Sequence, residues 1–384
     1  MLDIKKIRED FGQTPDVAWF CSAGSSFMPR SIFQATMDAY LQLQASSYKG
    51  DSGYENRMHE AWLDAVTALL NCEREEIAGI VCTTHGLNIA AYGIDLKSDE
   101  NVITTGVEYF TIPTAVYYQS KLTGCEVRVA ERDGYTIPPE NIEKLIDKKT
   151  RAIFISLVEF INGFRNDLEQ LSRLAHVHKV LLVVDAIQSL GILPVDVKKL
   201  GIDILTSGAH KWLNSFGGYG ILYVKKELIP QLRSPYMGHF GLASRLEPVR
   251  DYEKSFDCVR DYLVNENNIR KFEFSTENFV GKVALTKMIQ YLLDIGVDVI
   301  EKRIMLLLDY LIDRLQKKGV EIQSSLKPEH RSGIINFAPE GDVGEIVKNL
   351  RSKGIFTQYR GGGIRVAVNF YNTEDEIDRL VKEL

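Results

Sequence analysis

Two short segments carry the residues whose types and spacing could do chemistry. In VVDAIQS, Asp185 closes an apolar run and Gln188 follows three residues later; in TSGAHKW, His210 and Lys211 close another run, with Lys211 26 residues beyond Asp185. A carboxylate at the end of a buried run, with no Lys or Arg beside it in sequence, must find a cationic partner or bear the cost of desolvation. A protonated ring nitrogen is one such partner. Taken alone, Asp185 reads as readily as the N-cap of a following helix. Lys211 is preceded by small residues and a histidine and followed by Trp212 and a Gly-rich turn. An amine in such surroundings sheds its proton more easily than an exposed one, as an imine-forming lysine must. A lone lysine after a strand is ordinarily solvated, so the pairing with Asp185 carries the argument.

The elements that must position these residues show in the apolar pattern. Between about residues 77 and 225, short apolar runs (IAGIVCT, NVITTG, CEVRVAE, RAIFISLVEF, KVLLVVDAI, DILTSGA, YGILYVK) alternate with amphipathic stretches. That is the βαβ pattern of a mostly parallel sheet with helices on both faces, and runs as continuous as VLLVVDAI suit strands buried on both sides. The fold class is α/β. In such sheets ligands sit at the carboxyl ends of strands. This singles out Thr83, Thr84 and His85, Glu108 and Tyr109, Glu159 and Phe160, Asp185 to Gln188, and His210 with Lys211. Beyond about residue 255 the texture changes: a long helical stretch from Val280 to Lys318 precedes short strands (VEIQ, SGIINFA, IFTQY, IRVAVNF) and helices over Asp342–Lys353 and Glu374–Leu384. This predicts a separate, smaller α+β C-terminal domain.

The 384 residues suffice for one large and one small domain, and 45% hydrophobic with 26% charged residues is ordinary for an ordered globular chain. A formal net charge of -6 opposes the electrostatic attraction used by nucleic-acid binders. The apolar run around Val180–Ile187 is too short to span a membrane, and the N-terminus MLDIKKIREDFGQ lacks the apolar core of a secretory signal. These features predict a cytoplasmic protein. The five cysteines (Cys21, Cys72, Cys82, Cys125, Cys258) are scattered, with no CxxC, and read as free thiols. Two decoys are set aside. SFGGYG (215–220) opens no first βαβ unit and is no dinucleotide fingerprint, and His176 and His178 would face different sides of a helix, so no metal site is expected.

Residues 185–224, DAIQSLGILPVDVKKLGIDILTSGAHKWLNSFGGYGILYV, resemble the class V aminotransferase branch of the fold-type I pyridoxal 5'-phosphate enzymes. That branch includes cysteine desulfurases and kynureninase-like and isopenicillin N epimerase-like proteins. TTHGLN (83–88), VEYFTIP (107–113), LVEFINGFRNDL (157–168), FEFSTEN (272–278) and RGGGIRVAVNFYNTEDEIDRL (360–380) extend the resemblance over nearly the whole chain. It implies a large domain (17–260) with a mostly parallel seven-stranded sheet, a small α+β domain (261–384), and an N-terminal segment (1–16) packed on the small domain.

The resemblance also assigns roles. Lys211 becomes the Schiff-base lysine, Asp185 the partner of the pyridine nitrogen, Gln188 the contact to the phenolate oxygen and Tyr109 the residue stacked on the ring. Thr84, the main chain of His85 and His210 would hold the phosphate, at a helix start suited to an anion. Thr276 would reach the phosphate of a neighbouring subunit, implying a homodimer with shared sites. Arg365 would bind the substrate carboxylate with a bidentate fork, with Arg360 the weaker candidate.

Two departures narrow the chemistry. Phe160 stands where desulfurases carry an Asn, which, with SGYEN (52–56), points toward the epimerase-like branch. The loop IFTQYRGGGIR has no persulfide-forming cysteine, and Cys21 and Cys258 are poor substitutes. The expectation is an enzyme acting on a small amino acid through a Lys211 Schiff base and an α-carbanion. Transamination, epimerisation and C–S lyase or desulfurase-like β-elimination remain open as outcomes. A catalytically silent relative is disfavoured by the intact Lys211, Asp185, Gln188 and Arg365. A nicotinamide oxidoreductase is disfavoured by the lack of GxGxxG after the first strand.

Overall fold

The structure, a computed structural model, describes residues 2–51, 53–242, 265–274 and 276–384. The boundary placed at residue 260 and Cys258 lie outside the described residues. The chain begins with α1 (Ile4–Asp10), β1 (Ala18–Trp19), α2 (Arg30–Tyr48) and α3 (Gly53–Leu70). Then come β2 (Ile77–Ile80), α4 (Thr83–Gly93), β3 (Asn101–Thr105), α5 (Thr111–Thr123), β4 (Glu126–Ala130) and α6 (Pro139–Glu143). They are followed by β5 (Thr150–Ser156), α7 (Leu168–Val177), β6 (Leu181–Asp185), β7 (Ile204–Gly208) and β8 (Gly220–Val224). The C-terminal part comprises α8 (Phe279–Ile295), α9 (Val297–Lys317), β9 (Glu321–Ile322), β10 (Ile334–Ala338) and α10 (Val343–Ser352). It ends with β11 (Ile355–Phe356), β12 (Gln358–Arg360), β13 (Gly363–Ala367) and α11 (Glu374–Lys382).

Seven strands form one sheet in the order β2-β8-β7-β6-β5-β3-β4. Every pair is parallel except those made by β8, which runs antiparallel to both neighbours. The continuous apolar runs have the physical origin expected of them, because apolar clusters cover both faces. Along β6, Leu182 and Val184 join one cluster and Val183 the other. The α/β class and the mostly parallel seven-stranded sheet read from the sequence are therefore those of the chain. A second, antiparallel sheet has the order β12-β13-β10-β9.

Two local features depart from the sequence reading. The helix anticipated over 280–318 is two helices, α8 and α9, because Gly296 between them takes φ 91°, a conformation a continuing helix cannot hold. The IFTQY run is two strands with different partners: β11 pairs with β1 in parallel, and β12 with β13 antiparallel. The N-terminal chain is thus tied to the C-terminal one, and Arg8 adds an ion pair to Glu376 at 2.8 Å.

The parallel strands β5, β6 and β7 end at Ser156, Asp185 and Gly208 on one edge of the sheet, which is where the site forms. Helix α4 is set close against β7 by Gly86, where an added Cβ would come within 2.1 Å of Thr206 Oγ1. Only a glycine lets the helix start approach the strand that leads to Lys211.

Candidate active site

At the carboxyl edge of the sheet lies a cavity of about 430 Å³, whose wall includes Thr84, Tyr109, Phe160, Asp185, Gln188, His210, Lys211, Arg360 and Arg365. Asp185, the last residue of β6, is only 3% exposed. Its Oδ1 accepts from Ile187 N at 2.9 Å. Among the described residues no hydrogen bond reaches Oδ2. Burial raises the carboxyl to about 6, with the Ile187 N–H and the Lys211 charge opposing. The N-cap reading of Asp185 does not hold, because the chain after it turns without entering an α-helix.

Lys211 is 8% exposed, and its ammonium lies 5.3 Å from the centre of the Tyr109 ring. Burial lowers its amine to about 8, against the opposing Asp185 charge and with Arg365 adding to the fall. Tyr109 meets Phe160 edge to face at 5.1 Å. Gln188 is oriented by two bonds: its Oε1 accepts from Trp212 Nε1 at 2.9 Å and its Nε2 donates to Ala23 O at 3.0 Å. One amide hydrogen is left for the cavity.

The start of α4 follows β2 directly, and its N-cap Cys82 makes no side-chain capping bond. Thr83 turns its Oγ1 inward to accept from Gly208 N at 2.8 Å, tying the helix start to the end of β7, while Thr84 faces the cavity. The His85 ring turns away. Its Nδ1 accepts from Val81 N at 3.3 Å, its Nε2 meets Tyr236 Oη, and it stacks on Phe274. Burial lowers that imidazole to about 4, so it is neutral and only its main chain could serve an anion. His210, on the cavity wall, is lowered by burial and by Lys211.

Arg365 lies in β13 at 4% exposure, with Nη1 donating to Phe160 O at 2.7 Å and Nη2 to Gln358 Oε1. Burial, then repulsion from Arg360, lowers it to about 10, still cationic at neutral pH. Arg360 is exposed and donates to Tyr359 O at 2.8 Å. Thr276 is not on this wall; it lines a separate cavity of about 370 Å³ with Asn56, His59 and Glu277.

Several contributors escaped the sequence reading. Ala23 and Gly24 reach the wall from the N-terminal loop, and no local pattern announces a contact with residues more than 160 positions away. Gln358 left a weak signal, being two residues from Arg360. Among the cysteines, Cys82 lines the cavity, whereas Cys21 is buried and pushed up to about 11.

Pyridoxal 5'-phosphate fits these residues. A buried carboxylate with one oxygen unserved matches a protonated ring nitrogen, a buried amine near neutrality matches an aldehyde, and a helix start matches a phosphate. Fold and cavity together are those of the fold-type I pyridoxal-phosphate enzymes.

The class-V aminotransferase profile matches residues 18–380. An uncharacterized aminotransferase of Schizosaccharomyces pombe is 28% identical, the alignment covering 94% of this chain and 89% of that protein. A probable cysteine desulfurase of Borreliella burgdorferi is 26% identical over 98% and 94%. Among solved structures, the apo cysteine desulfurase of Thermococcus onnurineus shares the fold with a TM-score of 0.89 at 22% identity, covering 100% of this chain and 97% of that one. The chain belongs to the class-V aminotransferase family. It is a pyridoxal-phosphate-dependent enzyme of transferase or lyase type.

Proposed function

We propose that the protein acts on a small amino acid, with Lys211 as the lysine that bonds to the cofactor. The observation that carries this reading is the shared cavity: the softened Lys211 amine, the buried Asp185 carboxylate and the cationic Arg365 fork all open on it. Thr84, the main chain of His85 and His210 would hold the phosphate, Asp185 the ring nitrogen, Gln188 the phenolate oxygen and Tyr109 the ring face. Bound pyridoxal phosphate supplies an electron sink for the charge left when a bond to the substrate's α-carbon breaks. Arg365 fixes the substrate carboxylate, with Arg360 at the mouth as a second cation. Lys211, once free, takes the α-proton and returns it, and where it is returned decides between amino transfer and epimerisation.

Elimination of a β-substituent is the second reading, supported by the cysteine desulfurases among the relatives. A persulfide route lacks a suitable thiol on the loop from Ile355 to Arg365, and Cys21 is held as a thiol by burial. Simple expulsion of a β-substituent needs none.

We also place Thr276 at the phosphate of a partner subunit in a homodimer, and the protein in the cytoplasm. Exposed apolar side chains on α2 (Phe33, Tyr40, Leu41) and α5 (Tyr117, Tyr118, Leu122) support a covered face. No helix among the described residues is long and apolar enough to cross a membrane.

The test is a screen of amino acids and cysteine derivatives that follows keto acid, released sulfide and α-deuterium exchange together. Keto acid formed with amino transfer to an acceptor is the expected result. Sulfide release without transfer moves the assignment to a lyase, and no product or exchange from any amino acid overturns the reading.

A further inference from the structure

The hairpin of β12 and β13 brings two arginines to the candidate active site on one face. Gly361 and Gly362 turn the chain with φ of 60° and 82°, a tight turn that glycine takes without strain. The register sets Gln358 opposite Arg365 and Arg360 opposite Gly363. Residues directly opposite, and those two apart along a strand, share a face, so Gln358, Arg360 and Arg365 point the same way and the two arginines are diagonal neighbours. All three line the cavity. Gly363, across from Arg360, puts no side chain between them, and a Cβ there would come within 2.1 Å of Asn336 Oδ1. Like charges so placed repel, and an anion between them relieves the repulsion. The acceptors that hold them are neutral: Phe160 O and Gln358 Oε1 for Arg365, and Tyr359 O for Arg360. Among the described residues of the cavity wall Asp185 is the one carboxylate, and it acts on Lys211.

We propose that the substrate carries a second anionic group at the end of its side chain, Arg365 taking the α-carboxylate and Arg360 the distal one. The substrate class is then the acidic amino acids. This names the substrate within the proposed function and rests on that reading. There, Lys211 and Asp185 serve the cofactor and the phosphate lies at the start of α4, so both guanidiniums are left to the substrate. One α-carboxylate matches one of them. Arg365 is 4% exposed and oriented by two acceptors, which suits the group that must be fixed at one point in every substrate. Arg360 is exposed and bonded to its neighbour's carbonyl, which leaves it able to follow a distal group.

The experiment uses the holoenzyme and probes that cannot react. Succinate and glutarate, which lack an amine, are titrated by calorimetry against succinamate and glutaramate, in which one carboxylate is an amide. The dicarboxylates should bind about fivefold more tightly, as a partly exposed ion pair allows. Added potassium chloride should shrink that preference. R360Q should remove it and R360K retain most of it, whereas a residue that only supports the fold would weaken all four probes alike. Turnover of aspartate and glutamate should exceed that of asparagine and glutamine, with the difference in KM. Equal affinity of the wild-type protein for the acids and their monoamides, a comparison that needs no variant, would overturn the proposal. So would an R360Q loss shared equally by both, the sign of two arginines on a single carboxylate. Failure of every amino acid to react would count against the proposed function, while turnover confined to neutral amino acids would leave that function standing and sink the second carboxylate.

Discussion

Lys211 titrates near neutrality because burial penalises its ammonium form more than Asp185 supports it, and Arg365 adds repulsion. The folded value, about 8, lies below the ordinary lysine value of 10.5. Between those values the unfolded chain carries a proton the native protein lacks, so the stability tied to this amine rises with pH across that window and the burial penalty is felt in full below it. The neutral form is the one that attacks an aldehyde. Capture of pyridoxal phosphate by the apoenzyme, followed by absorbance, should therefore quicken about tenfold per pH unit below the folded value and level off above it. A rate that keeps rising tenfold per unit well above the folded value, toward 10.5, would show that the amine is not buried as described. That Asp185 and Lys211 meet at one cavity was legible because strand ends mark ligand sites in parallel sheets. The settings of Gln188 by Trp212 and Ala23, and of the His85 ring by Tyr236, were not, since each depends on a contact across a distant stretch of chain.

At the scale of elements, the inner strands of the large sheet were readable because they are buried on both faces and so appear as apolar runs, whereas the edge strand β4, only partly buried, alternates valine with charged residues. Weaker patterns failed for physical reasons. Phe279–Ile295 and Val297–Lys317 share one amphipathic texture, and only the backbone of Gly296 separates them. IFTQY looks like one strand, yet its first half finds β1 and its second half β13. The two-residue β1 is too short for periodicity to reveal; its parallel partner lies more than 330 residues away. Glu108 and Glu159 were visible as strand-end residues, but their joint burial around Ser156 is a property of three segments folded together.

At the scale of the whole molecule, one chain brings the Lys211 amine, the Asp185 carboxyl, the start of α4 and the Arg365 guanidinium to one cavity, while Thr276 sits outside it. The exposed apolar side chains of α2 and α5 are the candidates for a covered face in the proposed dimer. Sedimentation of the holoenzyme should give twice the 43.5 kDa chain mass, and a holoenzyme monomer would sink the shared-site arrangement. The central claim is narrower: Lys211 is the residue that bonds to the cofactor. Borohydride reduction of the holoenzyme, digestion and mass spectrometry of the pyridoxyl-bearing peptide test it directly. The account predicts a single modified peptide containing Lys211. A label on another lysine, or a protein that retains no cofactor after reduction, would contradict it.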